Sequence, residues 1–98
     1  KLTAYDQYDL LAIYNNLLVY YILSDQIADI NCQILVYELE DLLNETGFKR
    51  FIDKIYYNLC HYYYRMYNSE NVEMYCNKLA DNQIKNFSDY KMKLMYET

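Results

Sequence analysis

The residues best suited to chemistry in this chain are asparagine amides set among tyrosines. Ile55–Asn68, IYYNLCHYYYRMYN, carries Asn58, His61 and Arg65 at helical spacing inside an apolar, aromatic run. Tyr14–Tyr21 and Tyr56–Tyr63 share the pattern Y-x-N-L-x-x-Y-Y at a spacing of about 42 residues. This makes Asn16 and Asn58 equivalent, while Asn15 falls within the face formed by Leu11, Leu18 and Ile22. An asparagine amide offers two donors and an acceptor. In a groove it pairs with the N–H and C=O of an extended peptide whatever that peptide's side chains are. An amide buried without partners is costly, so the same residues also suit locking one helix to another. Tyrosine is equally two-sided, at home in helix seams and on peptide-binding surfaces.

Bond-making chemistry has thin support. His61 is the only histidine, and Cys60 beside it points elsewhere on a helix, because residues i and i+1 do not face each other. No E-x-x-H pair stands where a helical metal site needs one. Cys32, Cys60 and Cys76 are odd in number and widely spaced, with no CxxC, which fits neither a disulfide framework nor a zinc site. Free, mostly buried thiols in a reducing compartment are expected. A single glycine rules out a Gly-rich phosphate loop. The expectation is a protein that is not an enzyme and uses no cofactor or metal.

The elements that must position these residues read as helices. The chain has 98 residues, enough for one domain, with no proline and one glycine. Leu10, Tyr14, Leu17 and Tyr21 step by four, three and four, with Leu11, Leu18 and Ile22 widening the face. Ile27, Ile30, Ile34 and Tyr37 form a second stripe beside Leu35, Leu39 and Leu42; Asp29, Gln33, Glu40 and Glu45 lie outside both and are expected in solvent. Phe48, Ile52, Ile55, Leu59, Tyr62 and Met66 give the clearest period. Val72, Cys76, Leu79 and Gln83 mark a fourth face. Helices are predicted over about 5–23, 25–46, 48–67, 70–85 and 88–96, with Thr3, Ser24, Ser69 and Ser88 as N-caps and Gly47 as a C-terminal cap.

Short links between long helices force antiparallel neighbours, and the repeat predicts hairpins stacked in a tetratricopeptide-like array. The period exceeds the usual value of about 34 residues, so the array is a variant. The alternative is a four-helix bundle. A net charge of −5 argues against direct nucleic-acid contact. The longest apolar run, Leu10–Leu23, is broken by Asn15 and Asn16 and falls short of a bilayer span. The chain opens on Lys1 and not Met, as expected of a piece of a longer protein.

At the first helix, DLLAIYNNLLVYY, the chain resembles the C-terminal domain of Rgg/GadR/MutR-type transcriptional regulators of low-GC Gram-positive bacteria. There a hydrophobic helix carries a double Asn followed by apolar and aromatic residues. The order of the following helices, including one with N-L in its middle and a shorter SENV-type helix, is also similar, and the likeness covers most of residues 5–96. The resemblance implies a cytoplasmic regulator whose helical-repeat domain dimerises and binds a short apolar signalling peptide, as in quorum sensing. It implies a peptide site at Asn15 and Asn16, joined through the repeat by Asn58, with Tyr62 and Arg65 beside it on the third helix. Asn16 is the favoured peptide contact, because Asn58 shares its register. No DNA-binding domain is present in this sequence, a departure from the family. The rival expectation is a helical-repeat scaffold for protein partners with no peptide signal.

Overall fold

The computed structural model describes residues 4–45 and 52–81, which form helices and links with no strand among them. Helix α1 runs Ala4–Leu23, α2 Ile30–Glu45 and α3 Ile52–Arg65. A fourth, α4, covers residues 69–81 of those described. The expected Thr3, Gly47 and Ser88 caps, the first turn of the third predicted helix and the whole fifth helix lie outside the described residues.

Each hairpin reverses through the same device. At the end of α1 the backbone N–H of Gln26 donates to the Tyr21 carbonyl (2.8 Å) and that of Asp25 to the Ile22 carbonyl (3.2 Å). At the end of α3, Asn68 N–H donates to the Tyr63 carbonyl (2.9 Å) and Tyr67 N–H to the Tyr64 carbonyl (3.1 Å). Both are Schellman closures, which place one residue in the left-handed region. Here those residues are Asp25 and Tyr67, each at φ 58° and again about 42 residues apart. The repeat is therefore written in the backbone as well as in the Y-x-N-L pattern. Asp adopts this conformation readily, whereas a bulky tyrosine is strained in it. Tyr67 is 95% exposed, so its side chain recovers little by packing. Tyr67→Gly is expected to raise the unfolding free energy by about 1 kcal/mol, read as a higher urea midpoint with unchanged helix content.

Two predicted caps shift by a few residues. Ser24 does not start α2: its hydroxyl donates back to the Tyr20 carbonyl (2.7 Å), and residues 24–29 form the link. Asp29, exposed as expected, is the cap, its Oδ1 accepting from the Asn31 N–H (2.8 Å). At α4 the cap is Asn68 and not Ser69. Its Oδ1 accepts from the Asn71 N–H (3.1 Å) and its carbonyl from Val72 N–H (3.1 Å). A carboxylate or amide oxygen reaches the unpaired first-turn N–H groups from one residue before the helix, and the residue so placed is decided by where the preceding Schellman closure ends.

The core joins one face from each helix. Leu11, Leu18 and Ile22 of α1 meet Cys32, Leu35, Val36, Leu39 and Leu42 of α2, with Ile55, Leu59, Tyr62 and Tyr63 of α3 and Tyr75 of α4 in the same cluster. On α1 the buried line is therefore Leu11–Leu18–Ile22, with Leu17 exposed. On α2 the Ile30–Ile34–Tyr37 stripe is exposed, only Ile27 of that set being buried. On α4, Cys76 is exposed and Tyr75 carries the core contact. Two apolar stripes on one helix cannot both face a single partner layer, and the Leu-rich one faces inward.

Helix α1 packs against both α2 and α3. Its cross-links to α3, Asn15 to Asn58 and Ile22 to Arg65, both join residues 43 apart, so the two helices run parallel and in register. Within the second hairpin, Cys60 meets Cys76 and Tyr56 meets Lys78, the falling register of antiparallel helices. The fold is all-α, built of antiparallel helical hairpins whose first helices lie side by side. In a plain up-and-down bundle α1 and α3 would instead sit diagonally.

Candidate functional site

The parallel register of α1 and α3 brings Asn15 and Asn58 together. Asn58 Nδ2 donates to Asn15 Oδ1 at 2.8 Å, in a half-buried setting. Sequence equivalence pairs Asn58 with Asn16, but equivalent residues on parallel helices point the same way and do not meet. Contact falls one residue earlier, at Asn15, and Asn16 is exposed. The Asn15–Asn58 bond satisfies one donor and one acceptor. A carbonyl on Asn58 and donor capacity on Asn15 remain for another group.

The pair opens into a depression of about 460 Å³ lined also by Val19, Asp53, Lys54, Tyr57 and Leu79. Its walls are mainly apolar, from α1, α3 and α4, with Asp53 and Lys54 bringing one charge of each sign. Spacing alone does not single out Lys54 and Tyr57: Lys54, Tyr57 and Asn58 share one turn of α3, yet only the α1–α3 register shows which face opens outward.

The other two candidates lie elsewhere. Tyr62 is 3% exposed, and its ring meets that of Tyr63 edge-on, with centroids 5.1 Å apart. Burial pushes its phenol pKa up, with smaller contributions from Cys32, Tyr37 and Glu40. It borders a second depression, of about 240 Å³, with Gln33, Val36, Tyr37, Met66 and Asn71. Arg65 closes the α1–α3 seam at its far end. One guanidinium nitrogen donates to the Ile22 carbonyl (3.2 Å) and another pairs with Asp25 Oδ1. A cation at the C-terminal end of α1 complements the helix dipole there. The structure thus brings Asn15 and Asn58 together and separates them from Tyr62 and Arg65.

Glu40, expected in solvent, is half-buried and takes two phenols. Tyr63 Oη donates to its Oε1 (2.8 Å) and Tyr75 Oη to its Oε2 (2.5 Å). The Tyr63 and Tyr75 rings stack, 13° from parallel with centroids 5.9 Å apart. Lys78 Nζ lies 5.7 Å from the ring centroids of both Tyr56 and Tyr75. The apolar period places Glu40 on an outer face of α2; the fourth helix, packing over it, makes that face an interior one.

His61 is half-buried. Cys60 faces α4. No group of three His, Cys, Asp or Glu side chains capable of holding a metal occurs among the described residues. No helix among them is long and apolar enough to cross a membrane. No protein-family model matches the chain, and neither a curated protein nor a solved structure matches it.

Proposed function

We propose that this chain is a peptide-binding helical-repeat module, the peptide-sensing and dimerisation domain of a cytoplasmic transcriptional regulator of the kind its first helix resembles. The observation that supports this reading is the Asn15–Asn58 pair, held side by side in an open, largely apolar depression. An extended apolar peptide lying across α1 and α3 donates a backbone N–H to Asn58 Oδ1 and accepts from Asn15 Nδ2. Val19, Tyr57 and Leu79 take its side chains. The peptide acts by preferring one arrangement of the two hairpins, and it shifts the population only by its difference in affinity between arrangements. The exposed Ile30, Ile34 and Tyr37 of α2, spaced four and three apart, offer a surface for the second subunit.

A panel of end-blocked apolar heptapeptides, titrated calorimetrically against wild type, Asn58→Ala and Asn16→Ala, tests the reading. At least one peptide is expected to bind wild type and raise its melting temperature. Asn58→Ala should weaken that peptide about tenfold, worth about 1.4 kcal/mol, while Asn16→Ala leaves its affinity unchanged. Equal affinity for wild type and Asn58→Ala removes the amide pair from the site. No binding by any peptide leaves the protein-scaffold reading, which draws on the α2 surface alone.

A further inference from the structure

We propose that Cys60 and Cys76 are a reversible dithiol–disulfide pair that clasps α3 to α4. The two sulfurs lie 3.4 Å apart with both thiols free, against about 2.05 Å in a disulfide, so they already stand in van der Waals contact. Cys60 Sγ also lies 3.9 Å from the Val72 carbonyl, as donor, which fixes its sulfur on the α4 side. Val72 and Cys76 are one turn apart on α4, so Cys60 faces a single patch of that helix.

The two thiols differ in access. Cys76 is exposed and Cys60 is half-buried. Burial, and then its contact with Cys76, push the Cys60 thiol up to about 11. Cys76 is therefore the entry point. Its thiolate attacks one sulfur of a small-molecule disulfide such as oxidised glutathione and expels one thiol. The resulting mixed disulfide on Cys76 is attacked by Cys60 as its proton leaves, expelling the second thiol. Two protons and two electrons pass from the cysteine pair to the oxidant, which ends as two thiols. The adjacency of Cys60 makes the second step intramolecular, and so favoured over attack by a second chain. Cys32, buried in α2 with its thiol raised to about 11 by burial and by Asp29, stays out of the exchange.

The clasp closes a segment with ends 16 residues apart, around the Tyr67 turn. It holds in one arrangement the hairpin whose Tyr57, Asn58 and Leu79 border the depression. It stands independently of the peptide reading.

Incubating the reduced protein with oxidised glutathione, then alkylating and digesting it, tests the pair. Wild type is expected to lose two hydrogen atoms in mass and yield one cross-linked peptide joining residues 60 and 76. Its melting temperature should rise by roughly 10–20 °C, and dithiothreitol should reverse both changes. Cys60→Ser should stop at the glutathione adduct on Cys76, and Cys76→Ser should give neither product while remaining folded. Wild type that stops at the glutathione adduct, or links two chains through Cys76, overturns the proposal.

Discussion

Replacing Glu40 with Ala is expected to lower the unfolding free energy by about 3 kcal/mol, the largest single-residue effect anticipated on the polar side of this core. Glu40 accepts from Tyr63 and Tyr75 together. Those tyrosines are 9% and 3% exposed, so their hydroxyls have little water to turn to once the acceptor is gone. A hydrogen bond to a charged acceptor is worth roughly 1.5–3 kcal/mol, and a buried donor left alone carries its desolvation cost. The half-buried carboxylate keeps some water, which places the sum for two bonds at the low end. Glu40→Gln retains one acceptor oxygen and turns an amide donor toward the other phenol, so its loss should fall between wild type and Ala. Urea unfolding followed by circular dichroism at neutral pH orders the three proteins. In a double-mutant cycle with Tyr75→Phe, the two losses should add to more than the double mutant shows, because both remove one bond. A Glu40→Ala midpoint equal to that of wild type would mean that water replaces both phenols.

Alkaline pH should unfold the domain, because four of its buried or half-buried thiols and phenols hold their protons more tightly folded than unfolded. Burial raises the Cys32 and Cys60 thiols from 9.0 to about 11. Burial, followed by the bond to Glu40, lifts the Tyr63 and Tyr75 phenols well above the ordinary 10.0. Each of these groups holds its proton more tightly when folded. Above its ordinary pKa the unfolded chain therefore binds fewer protons than the native one, and stability falls as pH rises. Below pH 9.0 these contributions are constant; the thiols begin the loss there and the phenols add to it past 10.0. One fully displaced group costs about 1.4 kcal/mol per pH unit. Against a stability of about 5–15 kcal/mol for a small domain, the sum points to unfolding near pH 11. The near-ultraviolet tyrosinate absorbance should rise in two phases, the second coinciding with loss of helical dichroism. A single phase with helix content retained throughout would show that Tyr63 and Tyr75 ionise in place. Tyr75→Phe should move the second phase to higher pH only if its net packing loss is smaller than the ionisation cost it removes, so Cys60→Ser is the cleaner variant: it should make the loss of stability between pH 9.0 and 10.0 about half as steep, Cys32 supplying the remainder.

The helices were legible in the chain because burial on one face imposes a period, and the period survives in sequence. Leu11–Leu18–Ile22 on α1 and Ile52–Ile55–Leu59–Tyr62 on α3 stand in the core as their spacing implies. The repeat was legible too, since the pattern shared by Tyr14–Tyr21 and Tyr56–Tyr63 has a backbone counterpart in the closures at Asp25 and Tyr67. Periodicity fails where a helix carries two apolar stripes. On α2 nothing local distinguishes Ile30–Ile34–Tyr37 from Leu35–Leu39–Leu42, and only the packing of α1 against one side leaves the first exposed.

Side chains meeting across helices were the least legible part. Asn58 was tied to Asn16 by pattern, yet it bonds to Asn15, because contact between parallel helices depends on their separation and rotation. Glu40 reads as a surface residue until α4 covers it, and Cys60 reads as a solitary thiol until α4 carries Cys76 to within 3.4 Å. A residue's own helix face is a local property, determined by its neighbours three and four positions away. Which residue it touches on another helix is set by the relative placement of whole elements, to which many distant contacts contribute, and that was decided only by the tertiary structure.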